Sequence, residues 1–394
     1  MEKILIKYTK KLKFFFVSFL FCSFIFFWGI NFDFLQLRFL IFFLIIPIVL
    51  KIDKILLKKI ENYFFVAALI FIHNIIQSSI ISLNIFFEIF GFFFLCVIFE
   101  VYKNHFFEKL DQIIVIFLFA FFVYIILSYL AWDNYAVQVS NECIGCFSIL
   151  REFFKENSHF ALTIVPVIFY LLFLSKINKS IRFILLFFIF IISYLNPSIT
   201  LLVGLVLLTA VVSLKFFKLK KLLVIFLFFI TLIIFLNDNV LKDKKKIIDI
   251  FEKPKNINLS SEVYLASIFV AKKAIYNKPL GYGFNNYHKA FDEFIEDFQP
   301  FNKHVLILNR KDASNNFSKI ITEFGIFSFF YFYFLLSFFM KKNVDNKIKL
   351  FLIIPLVILT FVRGAGYFNA GFLLFLIYAF LLWKENLFLN NRFK

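Results

Sequence analysis

Arg310-Lys311-Asp312 and Ser314-Asn315 stand immediately before an apolar run that opens at Phe317, and the chain's chemistry is expected at this junction. Ser314 and Asn315 are good helix N-cap residues, and the free N–H groups and macrodipole of a helix start favour anions. With Arg310 and Lys311 beside it, such a start can seat a diphosphate. Glu323 lies about two turns further in, where a carboxylate is costly unless paired; Lys319, four residues earlier, and Arg363 are its candidate partners. A structural ion pair and a functional acid are both open to Glu323.

A second polar stretch, residues 133–158, brings Arg151 and Glu156 to the mouth of the next apolar run, where His159 stands. A guanidinium grips phosphate with a two-pronged geometry that Lys lacks, but Arg151 can equally pair with Glu152 or Glu156 or reach lipid headgroups. Glu156 and His159 fall on one face of a helical turn, and His159 is either a general base or a hydrogen-bonded structural residue. Cys143 and Cys146 suit a local disulfide or two free thiols, since a zinc site needs further ligands and Cys22 and Cys96 lie in apolar runs. No metal and no cofactor are expected.

Between these stretches, Lys278-Pro279-Leu280-Gly281-Tyr282-Gly283 resembles part of a phosphate loop. No Gly-Lys-Ser/Thr follows and no strand precedes, so the segment reads as a tight turn. Ser260 can cap a helix through about Tyr276 with Tyr264, Ile268, Ala271 and Ile275 on one stripe. After the turn, Asn285 or Asn286 starts an amphipathic helix. Tyr287, Phe291, Phe294, Ile295 and Phe298 line one face; His288, Asp292, Glu293, Glu296 and Asp297 line the other.

The elements that must hold these groups are apolar. Hydrophobic residues make up 62% of the 394, far above a soluble domain, and 69 of them are Phe, the default filler here. The fold class is therefore an all-α integral membrane protein. Apolar spans are predicted near 13–30, 34–50, 63–78, 83–101, 112–132, 159–175, 181–195, 197–214, 222–236, 317–340, 350–362 and 366–383, about twelve transmembrane helices. The first is read as retained, since no signal-peptidase site follows it. Organisation follows: 1–236 with nine helices and the outer loop 133–158, 237–316 as a large, partly helical outer loop, and 317–394 with three more helices.

The net charge of +18 is placed for membrane topology and not for nucleic acid. With both termini cytoplasmic, inner connections hold 25 of the 43 Lys and Arg. Short outer connections hold only Arg38, Arg151, Lys155, Lys319 and Arg363, and the other 13 sit in the long loop, which then faces outward. Trp28, Trp132 and Trp383 fall at predicted helix ends, as interface anchors do.

FFKENSHFALTIVPV (Phe153 to Val167), NPSITLLVGLVLL (Asn196 to Leu208), NKPLGYGFNNY (Asn277 to Tyr287) and SNNFSKIITEFGIFSF (Ser314 to Phe329) occur in this order. The set resembles the O-antigen polymerase and O-antigen ligase superfamily over roughly Arg151 to Met340. The resemblance implies a GT-C-like, metal-independent glycosyltransferase of the bacterial inner membrane. Its donor would be an undecaprenyl-diphosphate-linked glycan, used at the periplasmic face. Ser314 stands where ligases commonly carry a His, and Lys155 to His159 is more like the polymerases, so a polymerase joining glycan repeat units is the favoured reading. A ligase transferring glycan to lipid A-core is the alternative. Glu262 stands near where many members carry an Arg. The resemblance implies Arg151, Arg310, Lys311, Arg363, Ser314 and Asn315 around the donor, with Asp312, His159, Glu156 and Glu323 as the acids and bases. Membrane lipid and a chain-length regulator or flippase are the implied partners. A transporter of lipid-linked glycan is the rival from another class, and it would call for broken helices and midplane charges.

Overall fold

A computed structural model describes residues 31–32, 35–36, 54–78, 85, 89, 96, 110–119, 122–123, 157–195, 200–207, 259–298, 302–364, 366–367 and 372–384. These residues are helical throughout except for turns and one two-residue antiparallel pairing, Asn31–Phe32 with Leu35–Gln36. Leu35–Gln36 thus departs from the helix predicted over 34–50. Arg151, Glu156, Cys143 and Cys146 lie outside the described residues.

The chain forms two compact units. In the first, Met1–Lys51 with Tyr102–Leu205, helix α2 (Asn157–Phe173) turns back into α3 (Lys179–Leu195). Asp111 fixes that turn by accepting from Tyr170 Oη (3.0 Å), Ser175 Oγ (2.7 Å) and the Lys176 N–H (3.1 Å).

The second unit, Ile52–Val101 with Val206–Lys394, carries everything else that follows. Its helices are α1 (Lys54–Ser78), α4 (Leu259–Asn277), α5 (Tyr287–Phe294), α6 (Asn316–Phe324), α7 (Ser328–Met340), α8 (Asn346–Val357) and α9 (Phe372–Lys384). Helix α1 begins nine residues before the predicted span at 63, so part of the basic connection is helical. The predicted helix over 317–340 is interrupted: α6 ends at Gly325, a 3-10 turn covers Gly325–Phe327, and α7 resumes. Taken together, Asn316–Met340 is the one stretch among the described residues long and apolar enough to cross a bilayer. Tyr63–Ser78, Leu110–Phe119 and Ile164–Phe173 are apolar but shorter.

At one end of this unit Tyr63 packs edge-on to Phe380, Phe334 meets Trp383, and Lys341 Nζ caps the Leu382 and Trp383 carbonyls. Lys349 Nζ donates to Lys341 O there (2.6 Å). The opposite end carries the C-terminal ends of α1 and α8, the start of α6 and residues 259–298 and 302–315. Helix α4 packs on α6 and α5 through Val263, Ala266, Val270 and Ala274, closing a core with Tyr282, Tyr287, Phe291 and Val305. That buried stripe is one position round from the expected one, because small residues set how closely α4 approaches α6, leaving Ile268 at the surface. The amphipathic face of α5 and of the 3-10 turn Ile295–Phe298 that continues it is as predicted: Tyr287, Phe291 and Ile295 are buried, and Asp292, Glu293, Glu296 and Asp297 are exposed.

Candidate functional site

The site is assembled where Lys278–Asn286 meets α6. Gly281 and Gly283 both adopt left-handed φ, +88° and +92°, which glycine tolerates without a Cβ clash. Through this turn the Tyr282 and Gly283 N–H groups reach Thr322 O (3.0 Å) and Glu323 O (2.9 Å), while the Ile326 N–H reaches Pro279 O (2.8 Å). The break at Gly325 is sealed by these bonds. A Cβ at Gly281 would strike the Glu323 carbonyl, and one at Gly325 would strike that of Pro279. Helix α1 holds the turn from its other side. His73 Nε2 lies 2.7 Å from Leu280 O, which places the ring proton on Nε2, and the ring stacks on Phe324. Asn74 Oδ1 accepts from Asn286 Nδ2 at 3.0 Å.

Behind the turn lies a buried charge cluster. Lys319 Nζ donates to Lys311 O (2.9 Å), Asn285 Oδ1 (3.2 Å) and Asp312 Oδ1 (3.3 Å), and lies 3.8 Å from Glu323 Oε1. Its ammonium also sits over the Tyr367 ring, 5.2 Å from the centroid. Glu323 is fully buried and accepts the Asn285 N–H (2.9 Å) and the Tyr287 N–H (3.1 Å). It therefore supplies the acceptor at the start of α5 that the Asn286 side chain does not. The Tyr367 hydroxyl is buried without a hydrogen-bond partner among the described residues.

At the head of α6, Asn315 is the N-cap, its Oδ1 accepting the Ser318 N–H at 2.8 Å. Ser314 is buried, shares a 2.8 Å hydrogen bond with Ser267 Oγ and donates to Val263 O, so it anchors α6 to α4. The backbone after the π-helical end of α8 crosses here: the Gly364 N–H donates to Ser314 O, which brings half-buried Arg363 beside the helix start. Asn316 lies against Gly364, fully buried, with neither its Oδ1 nor its Nδ2 hydrogen-bonded; the Asn315 Nδ2 is likewise unbonded.

Of the residues expected from sequence, Asp312, Ser314, Asn315, Glu323 and Arg363 therefore gather around the first two turns of α6. Of Glu323's two candidate partners, Lys319 lies within ion-pair distance. Lys311 contributes its carbonyl to Lys319 and leaves its side chain in solvent. Arg310 does not stand ready for an anion. Its guanidinium forks onto Asp292 at 2.6 and 2.5 Å on the surface, and those bonds raise its pKa. His159 lies in the first turn of α2, in the other unit.

Glu262 is buried at the start of α4 and accepts the Asn302 N–H. Burial and a hydrogen bond to Glu293 push the Tyr282 hydroxyl up to about 12, and burial lowers His288. The sequence offers Asn285 only as a helix start and Lys319 only as an outer basic residue and a partner for Glu323, and it gives Asn316 no role. The i,i+4 spacing of Lys319 and Glu323 was the usable signal for the cluster; nothing in the sequence marks Asn316.

Compared with protein-family models, with curated proteins and with solved structures, the chain matches none.

Proposed function

We propose that the chain is a membrane-embedded glycosyltransferase that joins glycan repeat units carried on undecaprenyl diphosphate, an O-antigen-type polymerase. The observation that carries this reading is the head of α6. There the Asn316 amide is buried and unbonded against Gly364, next to Arg363, while two segments of the family resemblance, Asn277 to Tyr287 and Ser314 to Phe329, close on one another at the C-terminal end of the same helix. A buried amide without a partner costs about 1–3 kcal/mol, a cost that a bound ligand can offset. The membrane setting is supported by exposed apolar side chains such as Phe329, Phe330 and Leu336 on α7, and by the Lys-rich end opposite the site.

In this reading the helix start, the Asn315 and Asn316 amides and Arg363 hold the diphosphate, whose charge grows as the sugar–oxygen bond breaks. Asp312, exposed and steadied by Lys319, takes the proton of the acceptor hydroxyl as its oxygen bonds to the sugar carbon. Glu323 is occupied by two N–H groups and Lys319, so it positions α5 and the turn. The glycan profile of a deletion strain tests the proposal. Loss of long chains with one repeat retained on the core is expected. Undecaprenyl-linked long polymer with naked core would indicate the ligase, and an unchanged profile would refute both.

One observation favours a transporter: a helix broken at Gly325 beside a buried ion pair. The break is closed by the Pro279–Gly283 backbone, however, whose N–H groups occupy the Thr322 and Glu323 carbonyls that a coupling ion would use. Substrate-dependent flux in proteoliposomes without polymer synthesis would reverse the preference.

A further inference from the structure

The loop also has a face that the transfer reaction does not use. Ile307 is 68% exposed and Leu308 is 37% exposed, although the residues just before them point inward: Val305 is fully buried and Leu306 packs on the loop core. The turn that displays them is held firmly. Asn302 Oδ1 caps the 3-10 helix Lys303–Leu306 by accepting the His304 N–H at 2.9 Å, and the Ala313 N–H bonds Asn309 O at 2.9 Å. Two aliphatic side chains are thus presented outward on a fixed scaffold.

Their surroundings are basic. Lys303, His304, Arg310 and Lys311 are all exposed. The nearby carboxylates are engaged elsewhere: Asp292 by Arg310, Asp312 by Lys319, and Glu262 by the Asn302 N–H. Lys303 and Lys311 have no carboxylate within 4.0 Å among the described residues. The turn also lies at the level where the apolar helices end. It runs through Ala313 directly into α6, and its other anchor, Glu262, is two residues from Tyr264, whose hydroxyl donates to Phe361 O (2.6 Å) at the end of α8.

We propose that the Lys303–Lys311 turn is a membrane-surface anchor. Ile307 and Leu308 seat at the headgroup and acyl boundary, and Lys303 and Lys311 rest on anionic headgroups. Exposed aliphatics flanked by unpaired cations match such a surface, which attracts Lys and rewards shallow apolar burial. The inference rests on the reading that Asn316–Met340 crosses the bilayer. It adds that the outer loop leans on the same leaflet, so that the head of α6 opens at headgroup depth, where a lipid-borne diphosphate lies.

The test uses the full chain without its four native cysteines, carrying Leu308→Cys or Leu336→Cys labelled with an environment-sensitive fluorophore. Each is reconstituted into vesicles of phosphatidylglycerol and phosphatidylethanolamine, or of phosphatidylcholine alone, with brominated lipid as quencher. The label at 336, on the exposed face of α7, reports the span. Quenching at both positions is expected, with that at 308 weaker in phosphatidylcholine and weakened again by Lys303→Gln with Lys311→Gln. Quenching at 336 but not at 308 overturns the anchor and leaves the span intact; quenching at neither removes the span, and the anchor with it. Shielding at 308 that appears only when a second protein is added also overturns it. Should the cysteine-free chain not fold, Leu308→Trp in the native chain gives the same readout as quenching added to that of the three native Trp.

Discussion

Replacing Lys319 by Met tests the cluster at its centre. The Lys319 and Glu323 side chains are 1% and 0% exposed, so water does little to screen either. Without the ammonium, Glu323 keeps two backbone N–H donors, at 2.9 and 3.1 Å, and loses its cation. Removing one partner of a buried pair costs about 3–5 kcal/mol, since the remaining charge stays desolvated. That is a factor of roughly 10²–10⁴ in the folded population. Glu323→Gln is the milder change. Lys319 keeps Asn285, Lys311 and Asp312 as acceptors, while the new amide can accept one N–H and must oppose the other, a loss of about 1.5–3 kcal/mol. The double variant strands no charge, so it should be more stable than Lys319→Met alone.

Detergent-purified protein, heated in steps and read as the monodisperse fraction surviving, measures the order as inactivation rates. The expected order of stability is wild type, Glu323→Gln, double variant, Lys319→Met. A Lys319→Met protein as durable as wild type, or one that Glu323→Gln makes worse, would refute the pairing argument.

Three further changes separate scaffold from site. Gly281→Ala, at φ +88° and facing the Glu323 carbonyl, should cost about 1–2 kcal/mol in backbone strain and more in the collision, seen as loss of folded protein on size-exclusion chromatography. Arg310→Ala should leave both thermal stability and glycan length unchanged, because its surface pair with Asp292 is solvent-screened; shortened glycan would return Arg310 to the donor site. Asn316→Leu removes two unbonded buried polar atoms from a similar shape, so stability should hold or rise while polymer length falls. Normal-length glycan from that variant would take the amide out of the proposed site.

Local chemistry made part of this legible in advance. Ser and Asn before an apolar run placed the start of α6, the paired glycines placed the turn, and the 3.6-residue repeat of Tyr287, Phe291 and Ile295 placed the buried face of α5. What escaped depended on distant segments. Gly325 inside an apolar run reads as a tolerated residue until Pro279 supplies the carbonyl that makes a break affordable. Arg310 reads as a free cation until α5 brings Asp292 to it across 18 residues of sequence. The buried stripe of α4 went to Ala266, Ser267 and Ala274 over larger apolar neighbours, because close approach to α6 outweighed side-chain size.

The same long-range logic explains why acid and base persist inside α6. A helix that stops at Gly325 strands its last carbonyls, and α5 begins with N–H groups that its own N-cap side chain leaves unbonded. Tyr282 and Gly283 donate to the carbonyls of Thr322 and Glu323, while the Glu323 carboxylate accepts from Asn285 and Tyr287. Each helix end is thus completed by the other segment, and Lys319 neutralises the one charge this exchange buries. A carboxylate accepts two N–H groups where an apolar residue accepts none. Reciprocal capping therefore selects Glu at 323 on structural grounds, with no catalytic role required. It also fixes Asp312 relative to the α6 N-terminus through the Lys319 ammonium, so the exposed carboxylate beside the proposed diphosphate seat is held by buried charge and not by the flexibility of its own loop.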